Sequence, residues 1–221
     1  MAWMAPSISE IVPGLFIGNV ASSMNRDILR DNNINAIVSL LNGPYAKWNH
    51  DENRQLVPED RHLFVPCLDS STMDVLALMS SVCDWIDRHL GTPTSTLPLE
   101  DGAQNDGLNG LVEKPHRPGR VLVHCKLGIS RSATVVIAYL MRKRHEGLDS
   151  VLSEVKKRRN IRPSENFMNQ LRVWEAVEYQ VWTATTSTVP KELYQAYLDR
   201  RAAKLKAKGL IGNVPIVMTS L

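Results

Sequence analysis

The sequence predicts an α/β fold in which a central, mostly parallel, twisted sheet is flanked by helices. Two observations indicate this fold class. Short apolar runs rich in β-branched residues alternate along the chain with longer segments of helical periodicity. The last of these runs leads through a short glycine-containing loop into a segment that is apolar on nearly every side, which is typical of a buried helix. At 221 residues, with 43% hydrophobic and 22% charged residues, the chain suits one globular domain with a modest extension.

Four short runs are predicted to be strands because they are apolar and bounded by polar or turn-forming residues. They are residues 15–17, 36–41, 62–67 and 121–124. Between the first two, residues 22–32 predict a short helix. Residues 72–90 predict a longer helix, because apolar residues recur there at three- and four-residue steps. Ser71 or Thr72 is expected to cap its first turn.

Three further helical segments are predicted in the second half of the chain. Residues 133–142 are almost wholly apolar, so this helix is expected at the centre of the domain. Residues 149–159 are amphipathic and end in a basic run at residues 156–159, which we expect to be a solvated helix end. Residues 164–179 place large apolar side chains on one face and predict a third helix.

Two segments break these patterns. Residues 91–119 are rich in glycine, proline and polar residues and show no periodicity, so they predict a long loop inserted into the domain. Residues 183–189 read as a polar linker, and residues 190–208 predict a C-terminal helix that begins near Pro190 and ends at Gly209.

Composition and charge exclude several classes of protein. The cysteines, Cys67, Cys83 and Cys125, are too few and too scattered for a disulfide framework or a zinc ribbon, which fits a reducing compartment. Cys67 is expected to be a buried thiol and not a disulfide partner of Cys125. We expect no membrane span and, from residues 1–13, no secretory signal. With these features we expect a cytoplasmic or nuclear protein. The formal net charge of +3 gives no reason to expect a nucleic-acid partner.

Residues 121–133 carry the pattern with the most specific chemistry. A buried strand delivers His124 and Cys125 to a short loop, and the buried helix follows. The loop N–H groups and the helix N-terminus are expected to converge on one point, which suits a phosphate group. Gly128 permits the tight turn. Arg131 lies six residues after Cys125 and can fold back to donate two hydrogen bonds to phosphate oxygens.

The same groups are expected to stabilise a thiolate at Cys125. A free thiol has a pKa of about 8.5. Lowering that pKa by about 3 units requires roughly 4 kcal/mol of preferential stabilisation, which several N–H donors and a guanidinium can supply. A lone cysteine at a strand end is usually an inert packing residue, but the combined pattern is far rarer. The loop therefore predicts covalent catalysis through a phosphocysteine.

The loop His124-Cys125-x-x-Gly128-x-Ser130-Arg131-Ser132 resembles the signature loop of the protein tyrosine phosphatases, in the form used by the dual-specificity phosphatases. Residues 11–21 (IVPGLFIGNVA) resemble the opening strand of that family. Residues 133–141 resemble its central helix, and residues 162–163 with residues 167–174 (FMNQLRVW) resemble its closing helix.

The resemblance implies a domain layout. A phosphatase-like catalytic domain is expected at residues 8–180, with residues 91–119 as an inserted loop. A C-terminal linker and helix are expected at residues 183–221. The loop sequence HCKLGISRSA is most similar to those of the MAP-kinase-phosphatase and slingshot-like groups.

By position, the resemblance implies that Cys125 is the nucleophile and Arg131 the phosphate clamp. Ser132 matches the hydroxyl that stabilises the leaving thiolate, and His124 matches the residue that shapes the loop and tunes Cys125. The remaining phosphate contacts are implied for the loop residues Lys126, Leu127, Gly128, Ile129 and Ser130.

The family also uses an aspartate as general acid, on a loop after the preceding strand. Asp69 fits this role best, because it follows the strand predicted at residues 62–67. Asp74 is the alternative, although its place at the start of the next helix favours a capping role. Asp69 and Cys125 are further apart in the sequence than is usual in the family, and the loop at residues 91–119 accounts for the excess.

The implied activity is hydrolysis of phosphotyrosine and of phosphoserine or phosphothreonine in proteins, with no metal and no cofactor. The chain lacks the Lys-Asn-Arg-Tyr motif that deepens the pocket of strict tyrosine phosphatases, so a shallow cleft is expected. The expected partner is a phosphorylated protein, of which a kinase is one candidate. Two alternatives stay open: a phosphatase of a phosphoinositide or an RNA 5′-phosphate, and a phospho-binding pseudophosphatase.

Overall fold

The computed structural model of the protein describes residues 4–91, 119–185, 187–210 and 219–220. The strands within these residues are β1 (Ile8–Val12), β2 (Leu15–Asn19), β3 (Ala36–Leu41), β4 (His62–Pro66), β5 (Val121–Cys125) and β6 (Thr219–Ser220). They form one sheet in the order β1-β2-β5-β3-β4-β6. The four inner strands are parallel, whereas β1 and β6 are antiparallel to their neighbours at the two edges. The predicted α/β fold with a mostly parallel central sheet is therefore confirmed.

The α-helices in the described ranges cover both faces of the sheet. They are α1 (Val20–Ser23), α2 (Arg26–Asp31), α3 (Asp51–Arg54), α4 (Leu76–Leu90), α5 (Arg131–Arg144), α6 (Leu148–Arg158), α7 (Glu165–Ala176) and α8 (Glu192–Ala207). In α5 every residue from 132 to 141 is buried, and this helix contacts α4, α6 and α7. The prediction of a buried helix after the loop is confirmed.

The side chains of the inner strands alternate between two apolar layers. Ile17 and Val123 belong to the main hydrophobic core, which also contains residues of α4, α5, α6, α7 and α8. Phe16 and Leu122 point to the opposite face, where they pack with Leu29 of α2. Because both faces are covered, these strands consist of nearly continuous apolar residues.

Two stretches that the sequence predicted as single elements are each divided. Residues 11–21 turn back at Gly14, whose φ is +82°, and so contribute to both β1 and β2. Residues 22–32 contain the end of α1 and the whole of α2. Asn25 separates these helices because its backbone is extended and its Oδ1 accepts a hydrogen bond from the Ile28 N–H at 3.0 Å. Such an asparagine starts a new helix by satisfying an N–H that lacks a helical partner.

The start of α4 differs from the prediction. The helix begins at Leu76, and neither Ser71 nor Thr72 caps it. Asp74 Oδ1 instead accepts a hydrogen bond from the Leu76 N–H at 3.0 Å. Residues 70–74 stay irregular because side chains from α7 and α8 bind their main-chain carbonyl groups. Local periodicity could not reveal these distant hydrogen bonds.

The C-terminal helix α8 shares the main core with the preceding residues. Tyr194 and Tyr197 are only 1% and 6% exposed. The Tyr194 hydroxyl donates a hydrogen bond to Asp74 Oδ2 at 2.9 Å. The boundary predicted near residue 180 therefore separates two parts that pack together, because α8 contributes buried aromatic residues despite its many charged ones.

The loop predicted at residues 91–119 lies outside the described residues apart from its two ends. The Gly119 N–H donates a hydrogen bond to the Leu90 carbonyl at 3.1 Å, so the chain enters and leaves this segment at one point beyond α4. In the parts of the chain that the structure describes, no helix combines the length and hydropathy of a membrane span.

Candidate active site

The sequence-predicted loop lies at the carboxyl edge of the parallel strands. Cys125 is the last residue of β5, and α5 begins at Arg131, so residues 126–130 connect a buried strand to the central helix. In open α/β sheets, ligands commonly bind at this edge, where strands end and helices begin. Cys125 lies beside Asn19 of β2, and His124 lies beside Ser39 of β3.

Gly128 holds the loop in its tight turn. Its φ is +72°, in the left-handed region that residues with a side chain rarely adopt. A Cβ atom at this position would lie 2.4 Å from the Gly18 carbonyl oxygen and 2.7 Å from the Arg159 guanidinium. The Gly128 N–H points inward and lies 3.2 Å from Cys125 Sγ. The position therefore requires glycine both for its backbone conformation and for space.

The thiol of Cys125 lies among hydrogen-bond donors although it is only 1% exposed. Ser132 Oγ lies 3.4 Å from Sγ, in addition to the Gly128 N–H. Burial raises the pKa of this thiol, but the Ser132 hydroxyl and N–H, the Arg131 charge and the Gly128 N–H outweigh it, so the pKa is lowered. By contrast, burial raises the pKa of Cys67 to about 12. The loop therefore favours the thiolate form of Cys125 over that of Cys67.

The Arg131 guanidinium is fixed by main-chain carbonyl groups at the ends of two strands. Its Nη1 donates hydrogen bonds to the Leu40 oxygen at 3.2 Å and to the Cys67 oxygen at 3.0 Å. Its Nε lies 3.7 Å from Asp69 Oδ2, which is an ion pair and not a hydrogen bond. This Nε is buried and donates no hydrogen bond to any described residue. Arg131, which lines the cavity beside the loop, therefore has one N–H donor, Nε, without a hydrogen-bond partner among the described residues.

Asp69, which the family resemblance singled out as general acid, contacts the loop. The Ser130 hydroxyl donates a hydrogen bond to Asp69 Oδ1 at 3.1 Å. Asp69, Cys125 and Arg131 line the same cavity of about 500 Å³. Lys126, Leu127 and Ile129 also line this cavity. With 35% of its side chain exposed, Asp69 can meet both a bound group and water.

Asp74, the alternative acid, is placed differently. It is 7% exposed, and both carboxylate oxygens are occupied by the Leu76 N–H and the Tyr194 hydroxyl. Burial raises the pKa of Asp74, and its hydrogen bonds only partly oppose this effect. It does not line the cavity that contains Cys125. Its contacts are those of a residue that anchors α4 to α8.

A buried polar network behind the loop was not predicted. Ser39 Oγ lies 2.6 Å from His124 Nε2 and 2.8 Å from His62 Nε2, so one hydroxyl joins three strands. The ring of Trp48 packs edge-on against both imidazoles. Burial lowers the pKa of each histidine to about 3, so both rings are neutral near pH 7. The serine within the apolar run AIVSLL was the one sequence feature that indicated this network, because a buried hydroxyl needs a hydrogen-bond partner.

Arg159 is a second residue whose role the sequence did not reveal. The basic run at residues 156–159 was expected to be solvated, yet Arg159 is only 9% exposed. Its Nε donates a hydrogen bond to the Gly128 carbonyl at 2.7 Å, and its Nη1 donates to Ser9 Oγ at 3.2 Å. The side chain therefore ties the loop to β1. Among the described residues, no group of three or more His, Cys, Asp or Glu side chains is arranged to hold a metal ion.

Comparison with known proteins extends these observations. A family model described as dual specificity phosphatase, catalytic domain, matches residues 111–177. Dual specificity protein phosphatase 1B of Arabidopsis thaliana is 30% identical over 173 residues, which cover 76% of this chain and 81% of that protein. Dual specificity protein phosphatase 26 of Rattus norvegicus is 31% identical over 162 residues, which cover 73% of this chain. The chain spans 64% of the length of that rat protein.

Solved structures share the fold. The human tyrosine phosphatase-like serine/threonine/tyrosine-interacting protein is 27% identical and superposes with a TM-score of 0.58. The superposition covers 77% of this chain and 96% of that structure. The likeness in sequence and in fold therefore extends over about three quarters of the chain.

Proposed function

The chain belongs to the dual-specificity phosphatase family, and we propose that it hydrolyses phosphotyrosine and phosphoserine or phosphothreonine in proteins through a phosphocysteine intermediate. The observation that carries this proposal is the position of Cys125. Its thiol has a lowered pKa and lines an open cavity together with Arg131 and Asp69. One set of donors thus activates the nucleophile and surrounds the space in which a phosphate group would bind.

In the first step, the main-chain N–H groups of residues 126–130 and the Arg131 guanidinium bind the phosphate oxygens. The unused Nε of Arg131 supports this role, because it leaves a donor for an oxygen. The Cys125 thiolate attacks phosphorus, and a P–S bond forms as the P–O bond to the substrate breaks. Asp69 donates its proton to the departing oxygen.

In the second step, water attacks the phosphocysteine, and the Asp69 carboxylate accepts a proton from that water. The P–S bond breaks, and inorganic phosphate and the Cys125 thiolate result. The Ser132 hydroxyl and the Gly128 N–H stabilise the departing thiolate. His124 acts indirectly, as a neutral ring that fixes the end of β5 through Ser39.

The proposed substrates are phosphorylated proteins, and a phosphorylated kinase is one candidate. An open cavity that does not enclose Asp69 supports acceptance of short phosphoserine and phosphothreonine side chains as well as phosphotyrosine. We propose that residues 8–180 form the catalytic domain and that α8 packs on it. We also propose that the protein acts in the cytoplasm, the nucleus or both.

Hydrolysis of a small aryl phosphate by the wild type, Cys125→Ser and Cys83→Ser tests the reaction. The wild type and Cys83→Ser, which replaces a buried thiol of α4, should turn over equally with or without a chelator. Cys125→Ser should be inactive. A fully active Cys125→Ser variant, or loss of wild-type activity on chelation, would refute the mechanism.

A substrate panel tests the specificity. Phosphotyrosine and phosphothreonine peptides should both be hydrolysed, and more efficiently than a phosphoinositide or a 5′-phosphorylated RNA. A phosphothreonine rate at background contradicts dual specificity. A preference for the phosphoinositide or the RNA contradicts the assignment of a protein substrate.

A further inference from the structure

Outside the catalytic cavity, a groove of about 340 Å³ lies between α7 and α8, beside residues 70–74. We refer to it as the α7–α8 groove. Its basic lining residues are Arg172, Arg200, Arg201 and Lys204. Ser71 and Asn166 add polar side chains. The proposed hydrolytic steps use none of these residues.

The α7–α8 groove is positively charged, and among the residues that the structure describes no carboxylate lines it. Arg201 has a structural contact, because its Nε donates a hydrogen bond to the Thr72 carbonyl at 2.6 Å. Arg172, Arg200 and Lys204 form no ion pair with any carboxylate in the described ranges of the chain. Arginine in such a setting binds carboxylate or phosphate oxygens through paired N–H donors. The chemistry of the groove is therefore that of an anion site.

The groove adjoins the catalytic cavity. Asp69 lines the cavity and Ser71 lines the groove; on the opposite wall, Glu165 lines the cavity and Asn166 lines the groove. Asn166 Nδ2 donates a hydrogen bond to the Ser70 carbonyl at 3.0 Å, which joins the two walls between the sites. Asp69 and Ser71 are two residues apart, and consecutive Cα atoms are about 3.8 Å apart, so these two lining residues lie within about 8 Å of each other. A bound peptide therefore needs only a few residues to reach from one site to the other.

We propose that the α7–α8 groove binds a second anionic group of the protein substrate, a carboxylate or a second phosphate that lies a few residues from the scissile phosphate. This assignment rests on the protein phosphatase function proposed above. A site of this size beside the cavity suits one side chain of a bound peptide. A whole-chain net charge of only +3 does not favour an extended polyanion.

Paired peptides test the groove. One carries a single phosphotyrosine among alanines, and its counterparts add glutamate or phosphothreonine three, four or five residues away on either side. The wild type should prefer the best acidic counterpart by roughly threefold to tenfold in kcat/KM, mainly through a lower KM. The double variant Arg200→Ala, Lys204→Ala should reduce this ratio to near one.

The matched control is Lys156→Ala, Lys157→Ala, which removes two cations from α6 and should keep the wild-type ratio. Equal kcat/KM for acidic and neutral peptides in the wild type overturns the groove assignment and leaves the phosphatase function intact. Turnover of neither peptide overturns both proposals.

A vesicle assay covers the other class of anion. Vesicles of phosphatidylcholine and phosphatidylserine should bind the wild type and the double variant equally. The proposal is overturned if the wild type binds the vesicles, the double variant does not, and the wild type shows no preference for the acidic peptides. The groove would then be a lipid site. Equal thermal unfolding midpoints show that the variants are folded.

Discussion

Replacing Ser132 by alanine tests how the loop sets the pKa of Cys125. The Ser132 side chain is fully buried, and its Oγ lies 3.4 Å from Cys125 Sγ. Water cannot easily take the place of the lost hydroxyl, whereas the Gly128 N–H and the Arg131 guanidinium stay in place. A hydrogen bond to a charged group contributes about 1.5–3 kcal/mol, and the long distance places this one at the low end. Since about 1.4 kcal/mol equals one pKa unit, the Cys125 pKa should rise by about one unit.

The rate of alkylation by iodoacetamide measures this change, because only the thiolate reacts. The other two thiols do not interfere near neutral pH, since burial raises the pKa values of Cys67 and Cys83 to about 12. The midpoint of the rate against pH should move upward by about one unit in Ser132→Ala. In the pH profile of aryl phosphate hydrolysis, the rise in activity on the acid side should move upward by the same amount in Ser132→Ala.

Ser23→Ala is the matched control. Ser23 is also buried; its hydroxyl donates to the Val20 carbonyl and accepts a hydrogen bond from Trp48 Nε1 at 3.1 Å, and it has no contact with the loop cysteine. Its alkylation midpoint should equal that of the wild type. An unchanged midpoint in Ser132→Ala, or an equal shift in Ser23→Ala, would refute the reasoning about the loop donors.

Other contacts of the site can be tested by changing Gly128, the two buried histidines and the two aspartates. Gly128→Ala places a Cβ atom 2.4 Å from the Gly18 carbonyl oxygen. The loop must therefore shift, and kcat/KM should fall by roughly tenfold or more. Near-wild-type turnover would contradict this prediction. His62 and His124 have pKa values lowered by burial to about 3 from 6.5. The unfolded chain therefore takes up protons first, and stability should be intact above pH 6.5 and fall toward pH 3, by up to about 1.4 kcal/mol per pH unit for each histidine. Equal urea midpoints at pH 7 and pH 5 would exclude that effect. Asp69→Ala should lower kcat on phosphopeptides by roughly 100-fold or more, and it should lower kcat much less on an aryl phosphate with a good leaving group. Asp74→Asn should mainly lower the melting temperature. The reverse pattern would exchange the roles of the two aspartates.

The elements predicted most accurately are those whose signal is local. The residues of β3 form one apolar run, and its bounds agree with the prediction for residues 36–41. The loop after β5 and the buried helix α5 were also evident, because the apolar sequence on both sides of the loop leaves few alternatives. Asp69 was chosen on the family resemblance, and the structure brings it to Ser130.

The features that the sequence did not reveal depend on the order of the strands or on distant contacts. Ser39 joins His124 to His62 because β3 lies between β5 and β4, an arrangement that no local pattern encodes. Arg159 looked like one more solvated cation of a basic run, and its burial depends on the Gly128 carbonyl. The buried tyrosines of α8 stand among charged residues in the sequence, and Tyr194 contacts Asp74, which is far away along the chain.

Trapping the proposed intermediate tests the central claim most directly. A labelled phosphopeptide is mixed with the protein, the reaction is quenched with a denaturant at neutral to mildly alkaline pH within the first turnover, and the site of the label is mapped by mass spectrometry. The proposed mechanism predicts one phosphoryl group on Cys125 in the wild type and none in Cys125→Ser. Turnover with no label on Cys125, or a label on another residue, would contradict the mechanism.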